Sequence, residues 1–370
     1  MAKQRICIVV GTRPEAIKMA PLALALQKDE AFELSLLATG QHTDMLLSPL
    51  SFFGLTPDFN LSIMKEGQSL DYITSSILEG TGKIFDEIRP SVVLVHGDTT
   101  TTFASALAAF YRHIPVGHVE AGLRSHDFSL PFPEEMNRVL TDRLSAYWFS
   151  PTQGAKDNLL LEGYPEEKIW VTGNTVIDAL LHTSQKITPP ENQELRSLLE
   201  TPFILVTAHR RESWGEGLHR ICSAITEINK QRPDTRFLIP MHKNPQVRDV
   251  FREHFEGEER VILCEPLDYP DFVWTMKHSV FILSDSGGIQ EEAPALGKPV
   301  LVLRDVTERP EAVEYGTAVL VGTKTERIIK ESLTLLDSIK EHPHRQIKKN
   351  PFGDGCASEK IVQILKTHCN

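Results

Sequence analysis

The side chains best suited to chemistry lie in short segments that each follow an apolar run. Ser284-Asp285-Ser286-Gly287-Gly288-Ile289-Gln290-Glu291-Glu292 sets a hydroxyl and two glycines at the opening of a helical pattern. Backbone N–H groups at such a helix start suit a phosphate. Glu292, one turn further in, could accept hydrogen bonds from a ribose diol. Gly11-Thr12-Arg13-Pro14-Glu15 opens another helix, with Pro14 suited to its first turn. Arg13 is there either an anion ligand or the solvated cation of a plain strand–helix turn. In Thr207-Ala208-His209-Arg210-Arg211-Glu212 two arginines beside His209 suggest phosphate, although a neutral, hydrogen-bonded His fits as well. His242, in Pro240-Met241-His242-Lys243, ends a further strand and is open to either reading.

Carboxylates make up the other half of the set. His96-Gly97-Asp98 precedes the hydroxyl run Thr99 to Thr102. Asp98 either caps the next helix or belongs to a polar pocket floor. Gly117-His118-Val119-Glu120-Ala121-Gly122 puts Glu120 directly after a strand, where a carboxylate has few purely structural reasons to sit. Pro131-Phe132-Pro133-Glu134-Glu135 opens a helix that reaches Arg138. Glu134 and Arg138 are four apart and share a helix face, as a surface ion pair or as part of a site. An anion clamp of Arg13, Arg138, His209 and Ser286 facing Asp98, Glu120 and Glu134 fits a nucleotide sugar whose sugar undergoes acid–base chemistry. Crowding of three carboxylates would raise at least one of their pKa values.

These segments need a scaffold of strand ends. Arg5–Val10, Phe32–Thr39, Ser91–Val95, Pro115–Val119 and Tyr147–Ser150 have the look of strands, alternating with the helical patterns Ala16–Lys28, Asp71–Ile88, Thr100–Arg112, Glu134–Ser145 and Ala155–Glu162. Runs as apolar as Val92-Val93-Leu94-Val95 imply burial on both faces, hence parallel sheets. The pattern pauses at Lys186–Glu194, around Pro189-Pro190, and restarts with strands Phe203–Thr207, Thr235–Ile239, Arg260–Cys264, Val280–Ser284 and Pro299–Leu303. The expected fold class is α/β: two Rossmann-like domains with a cleft between them. Residues 1–175 form an N-terminal domain bearing the carboxylates, 176–355 a nucleotide-binding domain, and 356–370 a terminal helix. Ligands of such sheets bind outside the carboxyl ends of the strands.

Composition narrows the class. The 370 residues are 41% hydrophobic and 24% charged, as in ordinary globular domains. Lys plus Arg number 39 against 50 Asp plus Glu, a net charge of −11. That balance argues against nucleic acid and against a basic membrane-surface protein. No run approaches the ~20 apolar residues of a membrane span. The five cysteines, at 7, 222, 264, 356 and 369, show no CxxC spacing, so no zinc or redox pair is expected, and free thiols fit a reducing cytoplasm. GxGxxG is missing from every strand-to-helix turn, and HExxH does not occur. Gly80-Thr81-Gly82-Lys83 imitates a nucleotide loop but falls inside a helical pattern. Neither a cofactor nor a metal is expected.

Taken together, GTRPEAIKMAPL, VHGDTTTT, GHVEAGLRS, PFPEEMNR, VTGNTVIDAL, HRRES, DSGGIQEEAP, GKPVLVLRD and TERPEA resemble the bacterial non-hydrolysing UDP-N-acetylglucosamine 2-epimerases, in the family's order and over nearly the whole chain. The resemblance implies a two-domain glycosyltransferase-B type fold, a homodimer, and interconversion of UDP-GlcNAc and UDP-ManNAc, supplying ManNAc units for bacterial surface polysaccharides. It implies catalytic roles for Asp98, Glu120, Glu134 and His209. Arg13, Lys18 and Arg138 match residues near the diphosphate, Ser286, Gly287 and Gly288 the diphosphate loop, and Glu292 the ribose contact. A hydrolysing epimerase, a glycosyltransferase of the same fold and a non-catalytic nucleotide-sugar sensor are the competing readings.

One departure concerns regulation. Some bacterial members bind a second UDP-GlcNAc beside the active site through a Gln-His-x-Gln segment and a later Arg. Here the segment is Gln41-His42-Thr43-Asp44, and Gly67 stands in place of the Arg. Arg210 and His242 could still contact such a ligand. Weaker activation by UDP-GlcNAc is therefore expected.

Overall fold

A computed structural model describes residues 3–40, 43–65, 67–342 and 350–368. The chain forms two compact units: Met1–Ala179 together with Phe352–Asn370, and Leu180–Pro351. The first passage between them falls inside the helix Thr175–Lys186, ahead of Pro189-Pro190.

The first unit is built on a seven-stranded parallel sheet. Its strands are β1 (Gln4–Val10), β2 (Phe32–Ala38), β3 (Phe59–Asn60), β4 (Val92–His96), β5 (Val116–Val119), β6 (Tyr147–Ser150) and β7 (Ile169–Val171). Their spatial order is β3-β2-β1-β4-β5-β6-β7. Val92 to Val95 are all buried, as strands covered on both faces require. The order reverses between β1 and β4, and ligands of doubly wound sheets bind outside the strand ends at such a switch. The segments after β1 and β4 are those that hold Arg13 and Asp98.

The second unit carries a six-stranded parallel sheet of β8 (Phe203–Thr207), β9 (Arg236–Pro240), β10 (Val261–Cys264), β11 (Ile282–Ser284), β12 (Val300–Val302) and β13 (Ala318–Leu320). Here the order is β10-β9-β8-β11-β12-β13, with the switch between β8 and β11. His209 follows β8 and Ser286 follows β11.

Each expected strand is present, with ends shifted by a residue or two. Three strands not anticipated, β3, β7 and β13, lie at sheet edges and have two or three residues each. Gly80 and Gly82 do fall within a helix, Leu70–Ile88, and serve close packing. A Cβ at Gly80 would lie 2.7 Å from Leu61, and one at Gly82 2.6 Å from the Arg112 guanidinium. Among the described residues no helix is long and apolar enough to cross a membrane.

Candidate active site

In the first unit the turn after β1 is built around Glu15. Its buried carboxylate accepts the Gly11 and Thr12 N–H groups at 2.8 and 2.6 Å. It also takes the Thr99 hydroxyl at 2.6 Å, which fastens this turn to the one after β4. A Cβ on Gly11 would collide with Thr101 Oγ1 at 2.0 Å, so glycine is required at that approach. Glu15 is therefore a structural anchor, and Arg13 and Lys18 stand on the helix Arg13–Lys28 that it secures.

Glu120 follows β5 with φ of 71°, a left-handed backbone unusual for a residue with a side chain. Lys18 Nζ lies 2.6 Å from its Oε2, Asn174 Nδ2 donates to the same oxygen at 2.8 Å, and His96 Nε2 is 3.6 Å away. Burial would raise the Glu120 pKa, but Lys18 and then His96 outweigh it and hold the carboxyl well below its ordinary range. The expected rise from carboxylate crowding does not occur at Glu120, because the charge nearest to it is the Lys18 ammonium.

Arg138 pairs with Asp98. It also lies 3.2 Å from Glu135, one turn behind it on the helix Glu134–Leu144. The Glu134–Arg138 pair suggested by spacing does not form, since Arg138 is turned to Asp98 and Glu135. Glu134 is half-buried at the first position of that helix. Asn137 Nδ2 donates to the Asp98 carbonyl at 3.0 Å, so two residues of one helix hold Asp98.

Behind these groups lies a buried polar network that sequence reasoning missed. The His118 ring spans Asp142 Oδ1 at 2.7 Å and the Gly97 carbonyl at 2.8 Å. Arg124 lies 2.8 Å from Asp142 Oδ2 and 2.6 Å from Glu162.

The second unit repeats the logic at its own switch point. Asp285, wholly buried, accepts the His209 and Arg210 N–H groups, each at 2.8 Å, and its second oxygen lies 3.3 Å from His209 Nδ1. Thr207 and Ser284 hydroxyls meet at 2.8 Å. These contacts lace the loop after β8 to the loop after β11. Burial lowers the His209 pKa; Asp285 opposes that, and His242 and Arg210 add to it. The His209 and His242 rings stack at 5.4 Å and 14°, and Asn244 N–H donates to His242 Nδ1 at 3.1 Å.

Ser286 stands at the N-terminus of the helix Gly287–Ala295. Arg309, also unanticipated, donates from Nε to Glu291 at 2.8 Å. Its guanidinium covers the helix start, where a Cβ on Gly287 would approach it to 3.2 Å. Glu292 reaches back so that a Cβ on Gly288 would meet its Oε1 at 3.4 Å. Backbone donors, a hydroxyl and a guanidinium thus converge on one helix start, an arrangement suited to a diphosphate.

Gln41 and His42 lie outside the described residues. Among the described residues no group of three or more His, Cys, Asp or Glu could hold a metal ion.

A model of the UDP-N-acetylglucosamine 2-epimerase family matches residues 24–366. A Salmonella typhimurium UDP-N-acetylglucosamine 2-epimerase is 49% identical over 371 residues, covering 98% of this chain and 99% of that one. The Neisseria meningitidis UDP-GlcNAc 2-epimerase bound to UDP-GlcNAc is 48% identical with a TM-score of 0.88, covering 99% of this chain and 100% of that one. The Methanocaldococcus jannaschii UDP-GlcNAc 2-epimerase in complex with UDP-GlcNAc and UDP is 37% identical with a TM-score of 0.80, covering 98% of this chain and 99% of that one. Its two α/β sheets are of the glycosyltransferase-B type, and the chain belongs to the UDP-N-acetylglucosamine 2-epimerase family.

Proposed function

We propose that this chain interconverts UDP-GlcNAc and UDP-ManNAc without hydrolysis, by elimination and re-addition of UDP. The C2 proton of the sugar has no adjacent carbonyl and is not acidic, so simple deprotonation is a poor route. If UDP leaves C1 with the C1–O electron pair while a base takes the C2 proton, the C–H pair becomes the C1=C2 bond of 2-acetamidoglucal. Re-addition of UDP at C1 with a proton on the opposite face of C2 completes the inversion.

The observation that carries this reading is Glu120. It is a buried carboxylate directly after a strand, ionised at neutral pH beside Lys18 and His96 and so able to accept a proton. Asp98 and Glu134 are the candidates for the opposite face. Ser286, Gly287, Gly288 and Arg309 are the groups proposed to receive the departing diphosphate, with Arg13, Lys18 and Arg138 as further cations and His209 as a neighbouring imidazole. Such preorganised donors typically contribute ~3–4 kcal/mol each to a transition state. Glu292 is proposed as the ribose contact. Supply of ManNAc units for surface polysaccharides in the cytoplasm and a homodimeric assembly belong to the same proposal; a monomer in sedimentation would remove the dimer.

Incubation with UDP-GlcNAc alone tests the reaction. UDP-ManNAc formed without an acceptor supports it. Free ManNAc with UDP would indicate a hydrolysing enzyme, and no turnover a transferase or a sensor.

A further inference from the structure

The catalytic scheme leaves Gly173-Asn174-Thr175-Val176-Ile177-Asp178 without a role. This segment leads from β7 into the helix Thr175–Lys186. Asn174 is buried, and its Nδ2 donates to Glu120 Oε2 at 2.8 Å, the oxygen that Lys18 also holds. Its Oδ1 accepts the Val176 N–H at 3.0 Å, which fixes which end of the amide faces the carboxylate. Its own N–H donates to the Phe352 carbonyl at 2.8 Å.

The same segment secures the returning chain at two more places. Gly173 packs so closely on Gly353 that a Cβ would lie 3.2 Å from the Gly353 Cα. Asp178 accepts the Ala357 and Ser358 N–H groups at 3.2 and 2.7 Å, at the start of the helix Ala357–His368. The chain leaves the first unit after Ala179 and re-enters it at Phe352. Asn174 therefore touches the carboxylate with its side chain and the re-entering chain with its backbone.

Asparagine suits this place. Glu120 already faces the Lys18 ammonium and the His96 ring. A neutral amide adds a hydrogen bond to the ionised carboxylate with no further charge. The left-handed backbone at Glu120 also needs firm contacts around it, because such conformations persist only where the surroundings over-determine them.

We propose that Asn174 is a positioning residue for Glu120, aiming the carboxylate at the C2 proton and tying that aim to the chain re-entering at Phe352. This rests on the catalytic assignment of Glu120.

The test compares Asn174→Ala, Asn174→Asp, Asp178→Asn and Glu120→Gln for kcat, KM, pH profile and melting temperature. Asn174→Ala should lower kcat ~10–100-fold, as a misaimed group does, with KM for UDP-GlcNAc little changed. The acid limb of kcat should move to higher pH, because the ionised carboxylate has lost a donor. Asn174→Asp keeps the bond from Val176 and sets a second carboxylate against Glu120, so both effects should be larger. Asp178→Asn weakens the contact with the terminal helix and should lower the melting temperature while leaving the acid limb in place. An unchanged kcat and acid limb in both Asn174 variants, with Glu120→Gln inactive, would overturn the proposal. Full activity in Glu120→Gln would instead overturn the assignment on which it rests.

Discussion

His118 Nε2 lies 2.8 Å from the carbonyl oxygen of Gly97, the residue just before Asp98. The other ring nitrogen lies 2.7 Å from Asp142, on the helix that carries Glu134 and Arg138. One buried ring thus sets the loop that bears Asp98 against the helix whose Arg138 holds it. His118→Ala would remove the ring that bridges the two oxygens and leave a buried acceptor short of its partner, at a cost of about 1–3 kcal/mol. A lower melting temperature and a lower kcat with unchanged UDP affinity are expected. An unaltered melting temperature would contradict this account of the network.

Asp98→Asn, Glu120→Gln and Glu134→Gln should each lower kcat by roughly 10²–10⁴, the span of a positioned acid or base. UDP should still bind, because the groups proposed to hold most of the nucleotide belong to the second unit. Calorimetry with UDP beside initial rates with UDP-GlcNAc separates the two effects. Near-normal rates in all three variants would dismiss the carboxylate assignment.

His209 should titrate below its ordinary value of 6.5, because burial disfavours its charged form. The sign follows: protons bind the unfolded chain more readily, so the stability this residue contributes is fully present above about pH 6.5 and is lost as pH falls through the folded pKa. Arg210→Met removes a cation that opposes protonation and should raise the midpoint. Proton NMR of the imidazole across pH checks both statements. A midpoint at or above 6.5 in the parent chain would refute them.

Activation by a second UDP-GlcNAc should be weak, since Asp44 and Gly67 stand where activated relatives are expected to carry Gln and Arg. Loss of a charge-assisted phosphate partner is worth about 1.5–3 kcal/mol. UDP-ManNAc freed of UDP-GlcNAc should therefore turn over, with a near-hyperbolic substrate curve. Strict dependence on a trace of added UDP-GlcNAc would sink the idea.

The sequence exposed the scaffold wherever a strand was long enough to show its apolar run, as at Val92 to Val95. β3, β7 and β13 were hidden because two or three edge residues make no pattern. At the site, the candidate groups were legible as residues after strands, but their partners were not. Asp98 and Arg138 are 40 residues apart, Lys18 and Glu120 are 102 apart, and only the strand order brings each pair together. Glu15 and Asp285 lie in the same quoted segments, and nothing in their spacing showed that their carboxylates are taken up by backbone N–H groups. Arg309 lies 18 residues past its partner Glu291, beyond the reach of any helical or strand spacing.

Turnover of UDP-GlcNAc in deuterated water, followed by NMR of the recovered nucleotide sugars, tests the central claim most directly. Elimination and re-addition with a protein base predict UDP-ManNAc carrying deuterium at C2, with no free ManNAc. Epimerised product that retains its original hydrogen at C2 would contradict the account.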